Sequence, residues 1–355
     1  MTTQDRSTLM LFLKATLVTF LFVAFFTGTS LLGVTLYAFH QYQVFTQHAH
    51  TTGQELATLF QTGWHEPLQA EDNQVHFLIL GVDTLANRGD VPPLTDTMML
   101  VSVHTDTGKI SMLSLPRDLW SEAYQTKINA LYAYGLDRYP GQPEKFPTEV
   151  LSEMTGVAIQ YPLVISMDHV AEIIDLLGGI EVDVQTGFTD PEFPRSDVDI
   201  QTEHDPAVLY KTVTFEPGKQ ILNGERALEF IRSRHSEGDQ GTDVARGQRQ
   251  QQVIMALVSA LRQKKTLTNP VVLGKLYAYY QTNFNHYFPL TQAIALLKVL
   301  YPVRNQIEFQ QHQLTIYPDD PEGIIYHPPT ETTQNIWVYQ VRDEQLFQQT
   351  IQEQL

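Results

Sequence analysis

VHFLILGVD, residues 75–83, is a nearly continuous apolar run that closes on Gly81 and Asp83. Such a run is expected of a strand buried on both faces. Two more follow, TMMLVSVH (97–104) and KISMLSLP (109–116), separated by the turn signal DTG (106–108), and they read as a hairpin beside the first strand. Farther on come a helix over 147–155, a strand at YPLVIS (161–166), a helix over 168–177 stopped by Gly178 and Gly179, and a short strand IEVDV (180–184). This alternation predicts an α/β (α+β) fold with a mixed central β-sheet flanked by helices.

Residues 185–210 carry Pro191, Pro194 and Pro206 among many acids and read as a surface excursion. The pattern resumes at VTFEPGKQILNGERALEFIRSR, where Asn223 can cap a helix with apolar positions Ala227, Leu228 and Ile231. A long helix is expected over 243–264, two or three helices after Asn269 and Pro270, and a strand around 336–339. The folded domain is therefore placed at 75–265, with 266–355 as a helical extension packing on it.

Ahead of the first strand, ATLVTFLFVAFFTGTSLLGVTLYAF (15–39) is 25 residues without a charge, long enough to cross a bilayer with some tilt. It is too long for a signal-peptide core. Arg6 and Lys14 precede it, and no Lys or Arg occurs from Ala15 to Asn87. Residues 1–14 are thus expected to be cytoplasmic and the domain extracytoplasmic, on a single-pass protein of the cell membrane. Residues 40–74, polar and helical around 53–60, read as a membrane-proximal stalk. Its histidines, His40, His48 and His50, lack the spacing of a metal site and read as solvated.

The absence of cysteine rules out disulfides, thiolate catalysis and Cys-type zinc sites. A formal net charge of -17 argues against nucleic acid as a partner. Against that acidic background IRSRHSEGDQGTDVARGQRQQQ (231–252) is conspicuous, with Arg232, Arg234, Arg246 and Arg249 inside 18 positions. In the long helix, Val253, Ile254, Leu257 and Leu261 form the expected core stripe, which continues backward through Gln250, Arg249, Arg246 and Asp243. The core-facing side thus turns cationic in its first two turns, where free backbone N–H groups also favour an anion. Extended chain after the preceding helix would put Arg232 and Arg234 on one face, two forks suited to phosphate oxygens. The alternative is surface pairing with Glu229, Glu237, Asp239 and Asp243. Arg249, at the edge of the stripe, reads as a salt-bridge partner only.

Strand ends supply further candidates. LPRDLW (115–120) puts Arg117 and Asp118 at the end of a buried strand, with Lys127 soon after in KINALYAYG. Asp83 ends the first strand and Asp96 begins the next, so the two carboxylates can share a divalent cation; oxygen-only ligation favours magnesium or manganese. Asp-rich turns are also ordinary loop chemistry. With the arginines, a metal reading becomes coherent: cations gathered around one pyrophosphate.

In this order, FLILGVD, TDTMMLVSV, ISMLSLPRD, KINALYAYG, YPLVISMDHVAEIIDLLGGIEVDV, LNGERALEFIRSRH and DVARGQRQQQ resemble the LytR-CpsA-Psr family of membrane-anchored bacterial cell-envelope enzymes. The resemblance covers about residues 75–260 and includes the single N-terminal span. It implies a magnesium-dependent phosphotransferase that moves a glycan phosphate from a polyprenyl-pyrophosphate carrier to peptidoglycan or another envelope acceptor. It further implies that Asp83 and Asp96 hold the metal and that Arg117, Lys127, Arg232, Arg234, Arg246 and Gln250 bind the pyrophosphate or head-group sugar. Asp118 and Asp243 would orient arginines.

Family members carry an arginine where this chain has Leu94, two positions before Asp96, and Arg88 in the same loop is a replacement candidate. Asp83 is the nearest general-base candidate, although metal ligation makes a carboxylate a poor base. The lipid tail needs an apolar slot, which VLSEMTG, MDHVAEIIDLLGG and the helix beyond Val253 can line; the same residues can equally fill a core. Two other functions remain open: a polyprenyl-pyrophosphate phosphatase using the same site with water, and a non-catalytic receptor for lipid-linked glycan. A regulator of transcription is opposed by the topology.

Overall fold

A helix of 46 residues, α1 (Thr3–His48), leads into the domain. The computed structural model describes residues 3–82, 93–195, 197–198, 202–236, 238–241, 243–333 and 335–355, with side chains from residue 20 onward except at 21, 24, 239, 243, 244 and 247. Phe20, Phe22, Phe25 and Leu31 on α1 are each more than half exposed. Among the described residues no helix is long and apolar enough to cross a membrane. Residues 15–19, 21 and 24 of the expected span lie outside the described side chains.

The expected stalk is instead held against the domain. Thr52 and Glu55 form a reciprocal capping box that starts α2 (Gly53–His65). Beyond α2, Gln292 ties down the chain by accepting from the Gln69 N–H at 3.0 Å and donating to Glu66 Oε1 at 2.7 Å. Lys298 donates to the Trp64 carbonyl at 2.8 Å.

The apolar run becomes β1 (Gln74–Val82), followed by β2 (Thr95–His104) and β3 (Lys109–Leu115). β2 pairs antiparallel with both β1 and β3, as the DTG turn predicts. A minor ribbon of β4 (Trp120–Ser121) and β5 (Thr126–Lys127) precedes α3 (Leu131–Arg138) and α4 (Lys145–Thr155). Then β6 (Tyr161–Ser166) pairs parallel with β1, and α5 (Met167–Leu176) returns across the sheet. Gly178 and Gly179, both at positive φ, end that helix and admit β7 (Ile180–Val184).

Next come β8 (Phe188–Pro194), α6 (Pro206–Leu209), β9 (Tyr210–Phe215), β10 (Gly218–Leu222), α7 (Gly224–Arg232) and α8 (Asp243–Arg262). The region 185–210 is therefore only partly a surface excursion: β8 pairs antiparallel with β9, and Phe188, Asp190 and Phe193 are buried. Pro191 escaped the usual bar on proline in strands because it falls at the irregularity between Asp190 and Phe193.

The C-terminal part also departs from expectation. α9 (Lys264–Leu267), α10 (Pro270–Asn283) and α11 (Leu290–Leu300) are helical, but β11 (Glu308–Gln313) then pairs parallel with β3. The central order is β11-β3-β2-β1-β6, so 266–355 is not a purely helical extension; it supplies an edge of the main sheet. EFQQHQ lacks an apolar face, so its sequence carries no strand signal. A small sheet of β12 (Ile316–Tyr317), β13 (Ile325–Tyr326) and β14 (Gln340–Val341) precedes α12 (Glu344–Gln354). Of the strand expected around 336–339 only Tyr339 pairs, in an isolated bridge with Leu119, and the strand itself is the two-residue β14 that follows.

Leu78, Leu80, Leu100 and Leu113 pack one sheet face on Leu131, Val150, Leu151 and Phe347. On the other face Phe77, Val101 and Leu163 meet Phe288, Leu296 and Leu300. A second core joins Ile174, Val182, Phe215, Phe230 and Val253. Val150, Leu151 and Ile174, considered above for a lipid slot, are core members.

His76 on β1 is buried, and its Nδ1 has no hydrogen-bond partner among the described residues. Burial, then the neighbouring His104, pushes its pKa down from 6.5 to about 4. The unfolded chain therefore takes up a proton that the fold resists, so this contribution is intact above pH 6.5 and is lost as the pH falls toward about 4. In urea unfolding, His76→Leu should show a smaller loss of stability than the parent between about pH 7 and pH 5. Equal losses in both would assign the acid sensitivity elsewhere.

Candidate functional site

The site begins where β1 ends and β2 starts. Gly81 lies opposite Thr97 and Val82 opposite Thr95, with a register shift between Gly81 and Val82. A Cβ on Gly81 would come 2.9 Å from Thr97 Cβ, so glycine allows the close approach. Asp96 follows directly on β2. Asp83 and Arg88 lie outside the described residues.

β3 delivers the next pair. Arg117 donates to Asp96 Oδ1 at 2.6 Å, and its Nε lies 3.6 Å from Asp118 Oδ2. Lys127 holds the other oxygen of Asp118 at 2.6 Å. Partial burial works against the Arg117 charge, but Asp96 and then Asp118 outweigh it and hold the guanidinium above its ordinary range. The Arg117–Asp118 turn is braced from the C-terminal region: Tyr339 N–H donates to the Asp118 carbonyl at 2.9 Å, and Trp120 N–H to the Tyr339 carbonyl at 2.8 Å.

The other wall comes from α7 and α8. Asn223 Oδ1 accepts from Arg226 N at 2.9 Å and starts α7, as its sequence predicts. The helix ends at Arg232, and Ser233 takes an extended ψ of 131°. Arg232 and Arg234 then face the same cavity, of about 290 Å³, lined also by Asp96, Arg117, Arg246 and Gln250. Asp118 and Lys127 are not among the residues that line it; they stand behind Arg117. α8 supplies the backbone of Asp243, whose side chain lies outside the description.

Among the described lining residues four are arginines and one, Asp96, is a carboxylate. Four guanidiniums lining one cavity make it attractive to a polyanion, and Arg117 is already paired there with Asp96. Glu229 does not play that part: it is buried and pairs with Lys211 at 2.7 Å and with Arg226. The side chains of Glu237, Asp239 and Asp243, the other expected partners, lie outside the described residues. For a divalent cation, Asp96 offers the hard oxygen chemistry that magnesium prefers. No group of three or more potential metal ligands occurs among the described residues.

Residues 36–354 match the LytR_cpsA_psr family. The chain belongs to this family. It is 27% identical over 285 residues to a polyisoprenyl-teichoic acid–peptidoglycan teichoic acid transferase TagU of Oceanobacillus iheyensis, covering 79% of this chain and 75% of that protein. To biofilm regulatory protein A of Streptococcus mutans it is 30% identical, over 58% of this chain and 50% of that one. A TagV teichoic acid transferase of Bacillus subtilis is 26% identical over 66% of this chain and 55% of its own. The chain thus spans three-quarters of the first relative and about half of the other two. The crystal structure of B. subtilis TagV superposes with a TM-score of 0.50 at 21% identity, covering 80% of this chain and 98% of that one. This is a likeness of fold.

Two residues of this LytR_cpsA_psr domain matter more than their sequence context suggests. Arg249 is not a salt-bridge partner at a stripe edge. It is 3% exposed, and its guanidinium donates to the carbonyls of Phe230 (2.8 Å), Gln240 (2.8 Å) and Ser233 while lying 4.6 Å from the Phe188 ring. Burial depresses its pKa, Asp190 partly offsets that, and Arg246 adds to it. The core face of α8 runs through Ala245, Arg249, Val253 and Ala260, whereas Ile254 of the expected stripe is 59% exposed. Asp190, fully buried on β8, accepts from the backbone N–H groups of Arg234 at 2.9 Å and His235 at 3.2 Å. The inward alternation Phe188, Asp190 and Phe193 was the available signal, hidden by neighbouring prolines and acids.

Arg249→Met keeps the apolar bulk and removes every donor. Three carbonyls are left unpaired, so urea unfolding should show a loss of roughly 3 kcal/mol, whereas Arg246→Met, on the cavity side, should cost less than about 1 kcal/mol. Equal losses would mean that the carbonyl clamp has no special weight.

Proposed function

We propose that this protein is a membrane-anchored phosphotransferase that moves a glycan phosphate from a polyprenyl-pyrophosphate carrier to peptidoglycan or another cell-envelope acceptor. One observation carries the proposal: Arg117, Arg232, Arg234 and Arg246 converge with Gln250 and Asp96 on one cavity. A pyrophosphate is complementary in charge to four guanidiniums, and their forks match its oxygens. The names of the TagU and TagV relatives, transferases from a polyisoprenyl-linked polymer to peptidoglycan, support the reaction class.

In this reading a hydroxyl of the acceptor attacks the phosphorus nearer the glycan, and the bond to the bridging oxygen breaks. Polyprenyl phosphate leaves, the hydroxyl proton passes to solvent or to the departing phosphate, and the glycan phosphate becomes a phosphodiester on the acceptor. Arg117, Arg232, Arg234 and Arg246 neutralise charge that grows on the departing phosphate. Lys127 and Asp118 keep Arg117 aimed. Asp96, with Asp83, would hold magnesium, or manganese in its place, which supplies further charge neutralisation when bound. The uncharged run 15–39 would anchor the chain with its N-terminus cytoplasmic and the domain outside.

The test uses the purified protein with magnesium and a polyprenyl-pyrophosphate-linked glycan, with and without peptidoglycan. Phosphate-linked polymer on peptidoglycan is the expected product. Release of glycan phosphate to water, with none on the acceptor, would make the protein a phosphatase; saturable binding without turnover would make it a receptor. Arg234→Ala should weaken carrier binding about 10- to 100-fold, the worth of one charge-assisted contact. A variant that binds as tightly as the parent would remove the pyrophosphate from this cavity.

Arg88 is proposed to supply the charge that Leu94 lacks. Arg88→Ala should then reduce transfer by a factor comparable to Arg234→Ala, and a fully active variant sinks the idea.

A further inference from the structure

The transfer leaves one proton to place. The acceptor hydroxyl must lose it as its oxygen closes on phosphorus, and a positioned base speeds such a step roughly 10²–10⁴-fold. Among the described residues that line the arginine cavity, two side chains can take up a proton, Asp96 and His235. Arg117 already occupies one oxygen of Asp96 at 2.6 Å, and that carboxylate is also the hard-oxygen ligand a divalent cation would take. Asp83, outside the described residues, is read as its fellow ligand and is a poor base for the same reason. The imidazole remains.

A buried charge holds this residue in place. Asp190, 0% exposed on β8, turns Oδ2 to the backbone N–H groups of both Arg234 (2.9 Å) and His235 (3.2 Å), while its Oδ1 accepts from the Glu192 N–H at 3.0 Å. A desolvated carboxylate needs such donors, and by taking two consecutive amides it fixes the backbone of His235 as firmly as that of the arginine. Just before them Ser233 is buried, and its carbonyl accepts from Arg249. His235 thus projects from a pinned main chain. Depth separates it from two of the arginines: Arg232 and Arg246 are half-buried, whereas His235 is exposed. It stands on the solvent side of the cavity, from which a polymeric acceptor must arrive.

We propose that His235 is the general base of the transfer, an inference that rests on the phosphotransfer reading of the cavity. A ring nitrogen takes the proton as the acceptor oxygen bonds to the phosphorus nearer the glycan and the bond to the bridging oxygen breaks. The imidazolium then gives the proton to solvent or to the departing polyprenyl phosphate. At about 290 Å³ the cavity is at the small end of ligand sites, roughly 300–1,000 Å³, so an imidazole on its wall stands within reach of a nucleophile at the phosphorus.

The full-length protein is assayed with magnesium, a polyprenyl-pyrophosphate-linked glycan and peptidoglycan, and kcat for transfer is read separately from the Kd of the carrier. His235→Gln keeps bulk and hydrogen bonding but offers no base, and it should lower kcat roughly 100-fold or more while the carrier binds as to the parent. His235→Ala should lose as much, and added imidazole should restore part of its rate. The same imidazole should do nothing for His235→Gln, whose side chain fills the space, or for Arg234→Ala, whose fault is in binding. Such rescue is what a merely structural part for His235 would not produce. Full activity in His235→Gln, a loss explained entirely by weaker carrier binding, or no rescue of His235→Ala overturns the assignment. Unweakened carrier binding in Arg234→Ala strikes the pyrophosphate reading instead, so the two failures stand apart.

Discussion

The buried guanidinium of Arg249 joins two segments that the chain keeps apart. It reaches from α8 to the carbonyls of Phe230 and Ser233 at the end of α7, and to Gln240 between the two helices. A helix leaves its last carbonyls unpaired, and a desolvated cation needs acceptors on all sides, so each satisfies the other. The clamp fixes the angle at which the chain leaves α7, and thereby the direction of Arg232 and Arg234. Asp190 does the same from the opposite side, by accepting from the backbone of Arg234 and His235.

Seen from this clamp, the charge distribution has a division of labour. One arginine is spent inside the fold to hold three others at a cavity wall, while Arg117 is aimed from the sheet side by Asp96 and Asp118. Lys127 sits behind, neutralising Asp118. Two carboxylates therefore serve a basic site without cancelling it. The acidic surplus of the chain lies elsewhere.

The C-terminal region contributes to the sheet and to the site. β11 extends the main sheet, and Tyr339 braces the Arg117–Asp118 turn. Its strand EFQQHQ alternates little and buries little, because an edge strand is held mainly by backbone hydrogen bonds. That is why its place in the fold could not be read from side-chain pattern.

The amino-acid sequence by itself determined the elements with strong local signals. The buried runs of β1, β2, β3 and β6, the Asn223 cap, the glycine stop after α5 and the arginine-rich segment are all legible, because burial period and capping are encoded within a few residues. It also pointed to Asp96, Arg117, Arg232, Arg234, Arg246 and Gln250, which the fold brings to one cavity. Only the tertiary structure decided that Arg249 is a buried brace, that Ile254 faces solvent, that Asp190 holds the backbone of Arg234, and that residues beyond 265 complete the sheet. The physical reason is common to all four. A side chain's role there depends on which backbone groups and rings meet it from distant segments, and neither spacing nor composition records that encounter.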